Sequence, residues 1–133
     1  MRRAIAVAFV AIAIVAVDVA CNPFAPDQSV TLDVSKIDAP TTVANTIPIT
    51  VVLTVTTGGC TSFDHIEVNR DLSGAHMTVW GRDAAKGRTG VACPANIVLE
   101  PHSYQFDPPF ANSFTIQVDR GRLAPLQAIV QVR

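Results

Sequence analysis

A chain of 133 residues holds one ordinary domain and is too short for two. Its formal net charge of −1 creates no field that would draw it to nucleic acid or to a strongly charged surface. Hydrophobic residues make up 49% of the chain but aromatics only 6%, so a core must be built mainly from Val, Ile and Leu.

Met1, Arg2 and Arg3 form a short positive start. The apolar run 4–17 follows (AIAVAFVAIAIVAV). It is short of the ~20 residues that span a bilayer, and its length suits the hydrophobic region of a secretory signal. Asp18 ends the run, and Val19, Ala20 and Cys21 come next. This junction resembles the lipobox of bacterial lipoproteins, Leu-(Ala/Ser/Thr)-(Gly/Ala)-Cys. Ala20 and Cys21 match it, Val19 is tolerated, and Asp18 stands where the box has an aliphatic residue. The resemblance implies a signal peptide over 1–20, export, and lipidation of Cys21. Two or more acyl chains would hold the protein stably on a membrane where one would not. Asn22 is not the Asp that, by the same resemblance, marks inner-membrane retention. The competing reading is an ordinary signal cut near Ala20, with Cys21 left as a free or intermolecular thiol. Residues 21–28, with Pro23 and Pro26, read as an extended tether.

From the tether onward the chain alternates with period two. Residues 29–34 set Val30, Leu32 and Val34 against Ser29, Thr31 and Asp33, as a half-buried strand does. The stretch 36–46 is turn-rich, with a short edge segment around Thr42 and Val43. The strongest strand signal is 47–57, with Ile47, Ile49, Val51, Leu53 and Val55 on one side and mostly Thr on the other. Runs 63–68 and 75–80 flank a turn at 69–74 and predict a hairpin. Pairing Ile66 and Val68 with Met77 and Val79 leaves His65, Glu67, Asn69, His76, Thr78 and Trp80 outside. A polar loop covers 81–92. Short strands are expected at 97–99 and 103–106, and a C-terminal hairpin joins 113–118 to 126–132 through a turn at 119–122.

About seven or eight short strands at turn spacing argue for an all-β, antiparallel sandwich over 29–133. The pattern resembles the immunoglobulin-like Greek-key domains of bacterial surface and secreted proteins. The antibody cysteine arrangement is not matched, because Cys60 follows the second long strand and Cys93 follows a loop.

Three cysteines leave one unpaired. Cys60 and Cys93 lack C-x-x-C spacing and a following His pair, which argues against zinc. In an oxidising compartment they are expected to form a disulfide. His65, Glu67 and His76 share the hairpin's outer side and make a conceivable metal set, against the simpler reading of a polar strand face. His102, beside Pro101, reads as a loop residue. No serine lies in a G-x-S-x-G elbow. The stretch 81–89 (GRDAAKGRT) has one residue too many between its glycines for a phosphate loop and Arg88 where the Lys belongs. Arg82, Lys86 and Arg88 could meet anionic glycan or phospholipid headgroups, or simply be solvated. Trp80 and Phe63 could form a stacking contact, or pack at the sandwich edge.

These readings predict a non-catalytic, lipid-anchored binding or interaction module of the cell envelope. It has no expected cofactor, metal or nucleic acid. Its partners are the membrane, through Cys21, and an envelope protein or glycan. The alternative is a periplasmic ligand- or metal-binding protein that uses the outer face of the 63–80 hairpin.

Overall fold

The structure is a computed structural model that describes residues 27–133. The expected leader, Cys21 and all but the last two tether residues lie outside the described residues. Nine strands are present among those described: β1 (Gln28–Thr31), β2 (Val34–Asp38), β3 (Thr42–Val43), β4 (Ile49–Thr57), β5 (Thr61–Arg70), β6 (Gly74–Asp83), β7 (Val98–Phe106), β8 (Ser113–Arg120) and β9 (Leu123–Val132). They form two sheets. One contains six strands in the order β1-β6-β8-β9-β3, with β5 also on β6; the other is β2-β4-β7.

Alternation decides which side chains meet. Ile49, Val51, Leu53 and Val55 from β4 are fully buried, as are Met77, Phe114, Ile116, Val118 and Val130 from the larger sheet. They join one hydrophobic cluster. With few aromatics, that core is mostly branched aliphatic, as composition requires. Ile47 departs from the expected pattern: it is 53% exposed and precedes β4. Its amide instead donates to the Ala44 carbonyl in a turn, and Pro48 separates it from the strand.

The all-β, two-sheet prediction holds, and the wholly antiparallel one needs correction. β6 and β8 run parallel, pairing Gly74 with Thr115 through Met77 with Val118. β3 and β9 are also parallel. The chain leaves β6, passes through β7 in the other sheet, and returns as β8. Such a crossover is what parallel neighbours need. Side-chain alternation carries no information about strand direction, so the pattern could not show it.

Other boundaries shift for local reasons. The single strand expected over 29–34 is divided. β1 pairs with β6 and β2 with β4, so the chain changes sheet at Leu32 and Asp33. The Leu32 amide donates to Val79 in one sheet, and Asp33 accepts from Thr56 in the other. Lys36–Asp38, read as turn, continues β2 after a bulge. Residues 98–99 of the first expected segment and all of 103–106 belong to one strand, β7, which includes Pro101 and His102, and Ile97 precedes it. Proline is tolerated there because β7 is an edge strand, paired only with β4. Asp119 and Arg120, expected in a turn, extend β8.

Gly74 starts β6 opposite Thr115 in the parallel pair. A Cβ built there would collide with the Thr115 carbonyl oxygen. Backbone cannot retreat as a flexible side chain can. Gly74→Ala is therefore expected to cost about 1–3 kcal/mol, read as a lower urea midpoint with unchanged slope. A neutral result would mean that β6 and β8 are not this close.

Candidate functional site

The β5–β6 hairpin forms as expected, with Ile66 opposite Val79 and Val68 opposite Met77. Alternation then places His65, Glu67 and Asn69 from β5 beside Trp80, Thr78 and His76 from β6, on the outer face of the larger sheet. Arg82 follows on the same side and is exposed. Five of the seven expected contact residues, His65, Glu67, His76, Trp80 and Arg82, thus share one face.

Each is held by a neighbour. Trp80 Nε1 donates to Glu67 Oε2 at 2.7 Å. Arg82 Nε donates to Asp64 Oδ1 at 3.0 Å, and His65 Nδ1 lies 2.9 Å from Asp64 Oδ2. The Asp119 carboxylate bridges His76 Nε2 and the Thr78 hydroxyl, both at 3.0 Å. Asp64 and Asp119 are the partners that sequence reasoning missed. Asp119 falls in the turn expected at 119–122. Asp64 reaches its position through a bulge between Phe63 and His65. The same bulge turns Phe63 inward, where it packs against the core rather than standing on the outer face.

Lys86 and Arg88 do not join the hairpin face. They lie in the connection 84–97 and turn toward the first described residues. Arg88 Nη2 pairs with Asp27 at 3.3 Å, and Lys86 Nζ donates to the Ser29 carbonyl at 3.3 Å.

His65, Glu67 and His76 do not converge as a metal site would require. His65 sits opposite Trp80, four positions along β6 from His76. At the rise of a strand that separates the imidazoles by about 13 Å. No group of three His, Cys, Asp or Glu side chains suited to a metal ion occurs among the described residues.

His102 is not a loop residue. It lies in β7 on the core-facing side, and its ring stacks on Phe63 at 3.7 Å. Glu100 accepts from the buried Thr57 hydroxyl at 2.8 Å, and its other oxygen lies 3.3 Å from His102 Nε2. Here and at Asp119 the carboxylate stands between hydroxyl and imidazole. Neither imidazole is therefore the hydroxyl's partner, which is the contact that nucleophile activation needs. Each carboxylate links two neighbouring strands, Glu100 joining β7 to β4 and Asp119 joining β8 to β6.

At the hairpin tip Asp71 Oδ1 accepts from the Ser73 amide, the Ser73 hydroxyl and the Gly74 amide. Those bonds hold its carboxyl below the usual value of 3.8. Arg82, then His65, lower that of Asp64. Beside the tip an open groove of about 490 Å³ is lined by Asn69, Asp71, Ser73, His76, Thr115 and Gln117, among others. Because both carboxyls titrate lower when folded, their contribution is complete above pH 3.8 and fades as pH falls through the folded values. Carbon-detected NMR titration should put both midpoints under 3.8; a midpoint at or above it would contradict these contacts.

Cys60 and Cys93 are joined by a disulfide, with Cα atoms 5.1 Å apart. The bond ties the connection 84–97 to the turn between β4 and β5. Two more contacts support the same junction: the Gly59 amide donates to Asn96 Oδ1 at 2.9 Å, and the Ala84 amide to the Cys60 carbonyl at 3.0 Å. Gly58, at φ 116°, lies so near the Asn96 carbonyl that no larger residue fits. No protein-family profile, curated protein or solved structure matches this chain.

Proposed function

We propose that this chain is an exported, lipid-anchored, non-catalytic binding module of the cell envelope. Its contact surface is the outer face of the β5–β6 hairpin. The observation that carries the reading is Trp80. It is half-buried, clamped through its indole N–H by Glu67, and flanked by His65 at a ring distance of 6.5 Å. An aromatic ring with its polar tip fixed and its face beside open solvent offers contact area at little entropy cost. The basic start, the apolar run 4–17 and the Ala20-Cys21 junction support export and anchoring. The immunoglobulin-like assignment belongs to the same proposal. Two packed sheets of short strands favour it, and the two parallel pairs set this domain apart from a plain antiparallel Greek key.

Photo-crosslinking groups introduced at His65 and His76 of the full chain, in cells, test the contact face. A discrete envelope partner is expected from these positions and none from Ser35, which is exposed on the other sheet. Trp80→Ala should reduce the yield roughly tenfold or more. Equal products from all three positions would remove the assignment.

A second reading is favoured by the groove beside the hairpin tip: a periplasmic protein that binds a small polar ligand there. Asn69, Thr115 and Gln117 line it, and none has a side-chain hydrogen bond to another described residue. A soluble ligand whose binding is abolished by Gln117→Ala but unaffected by Trp80→Ala would select this reading over the first.

A further inference from the structure

The exposed apolar residues are not evenly spread. Ile47, Leu72, Leu123 and Ile129 are scattered singly along the chain, whereas Val91, Ile97, Val98 and Leu99 fall in one stretch. Ile97 is 79% exposed and Leu99 59%. A chain of contacts fixes where this stretch lies. Gln28 pairs with Asp83 at the end of β6. The next residue, Ala84, bonds to Cys60. Cys60 is linked to Cys93, and Gly58 packs on the backbone of Asn96 and Ile97. Arg88 pairs with Asp27, and Gly87 lies against the Gln28 side chain. The apolar stretch therefore occupies the same pole of the sandwich as the first described residues.

Asp27 stands six positions after Cys21. A fully extended chain of that length reaches roughly 20 Å at most. A ten-residue strand such as β6 is longer, at about 33 Å. An acylated Cys21 thus brings this pole, and not the opposite one, to the bilayer. Both arginines here are paired, Arg88 with Asp27 and Arg82 with Asp64, while the Lys86 ammonium donates to the neutral Ser29 carbonyl and keeps its charge. With one such ammonium against several exposed aliphatic side chains, apolar contact rather than attraction to anionic headgroups is the main means of docking.

We infer that Val91, Ile97, Val98 and Leu99 form a lipid-contacting pole that seats the domain on the phospholipid surface holding its anchor. This rests on the lipid-anchored reading above. Seated this way, the hairpin tip at 71–73 and its groove point away from the membrane, and the disulfide holds the docking stretch in place. Shallow insertion of a few aliphatic side chains adds to acyl anchoring without replacing it.

The test uses the full chain, produced in a bacterial host and purified from its membranes. Intact mass reads the anchor first. Ile97→Trp and, separately, Leu72→Trp are then made in a Trp80→Phe background and reconstituted in phosphatidylethanolamine–phosphatidylglycerol vesicles with brominated acyl chains. Leu99→Trp replaces Ile97→Trp if the latter fails to fold by circular dichroism. The indole at position 97 should lose at least about twofold of its fluorescence, and that at position 72, on the distal tip, should be unaffected. Acylated protein with no quenching at 97, or with equal quenching at 72, overturns the docking pole and leaves the anchor standing. Shielding of position 97 that appears only as protein concentration rises assigns the patch to a second copy and also overturns it. A chain that begins at Cys21 without acyl mass overturns the anchor reading and this inference with it.

Discussion

Replacing Cys60 and Cys93 by serine is expected to lower the stability of the domain by about 3–4 kcal/mol. The two residues are 33 positions apart. Closing a loop of that length removes much of the unfolded chain's freedom, and the loss of that restriction is the effect. Across a domain near a hundred residues, the melting temperature should fall by roughly 15 °C or more. The consequence should also be local. The connection 84–97 contains no strand, and its remaining ties are few: the Gly59–Asn96 and Ala84–Cys60 bonds, the Asp83 carboxylate accepting from the Ala85 and Lys86 amides, and the Arg88 and Lys86 contacts with the first described residues. Hydrogen exchange in 84–97 should rise well before that in β4 or β6. A serine pair as stable as the parent, with unchanged exchange in this stretch, would show that these remaining contacts alone hold it. Because the same stretch carries Val91 and Ile97 and leads directly into Leu99 of β7, the reduced protein should also lose any function that depends on their placement.

The hairpin shows what was legible in the chain. Ile66, Val68, Met77 and Val79 alternate cleanly between polar neighbours, and 69–74 has turn chemistry. Burial and register followed directly, with Ile66 opposite Val79. β4 was equally plain from Ile49 to Val55. What stayed hidden were features that alternation does not encode. Direction is one: β8 lies parallel to β6, yet its Phe-Thr-Ile-Gln-Val pattern would suit either sense. Sheet exchange is another. The run 29–34 alternates without interruption although β1 and β2 belong to different sheets, because Val30, Leu32 and Val34 find buried or half-buried positions on either side of the change.

The site residues divide the same way. His65, Glu67, His76 and Trp80 could be placed together from periodicity alone. Their partners could not. Asp64 depends on a bulge, which breaks the period locally. Asp119 comes from a strand 43 positions from His76. His102 reads as loop because of the adjacent Pro101, and only the edge position of β7 makes a proline acceptable there. Long-range pairings of this kind arise from topology, and topology was the part the pattern left open.

Phe114→Ala is expected to destabilise the domain by about 3–5 kcal/mol. Phe114 is fully buried, opposite Val130 on β9. Its ring meets Phe106 at 5.3 Å and Phe110 at 5.0 Å, the latter edge-on. Truncation leaves a cavity between the sheets and removes two aromatic contacts, each worth about 0.5–1.5 kcal/mol beyond area. Phe114→Leu keeps most of the volume and should cost roughly half as much. The loss should also travel outward through Arg70. That guanidinium lies 5.1 Å from the Phe110 ring centre and 5.7 Å from that of Phe114, and it donates to the Pro109 carbonyl at 2.8 Å. Arg70 forms part of the groove wall, and Ser113 and Thr115, the residues on either side of Phe114, line the same groove. Urea denaturation should therefore show a large drop for Phe114→Ala, and a double-mutant cycle with Arg70→Ala should give a coupling of about 0.5 kcal/mol or more. Additive effects would mean that Arg70 is held by Pro109 alone and that the core does not support the groove. Coupling would tie the aromatic cluster of Phe106, Phe110 and Phe114 to the shape of the groove beside the hairpin.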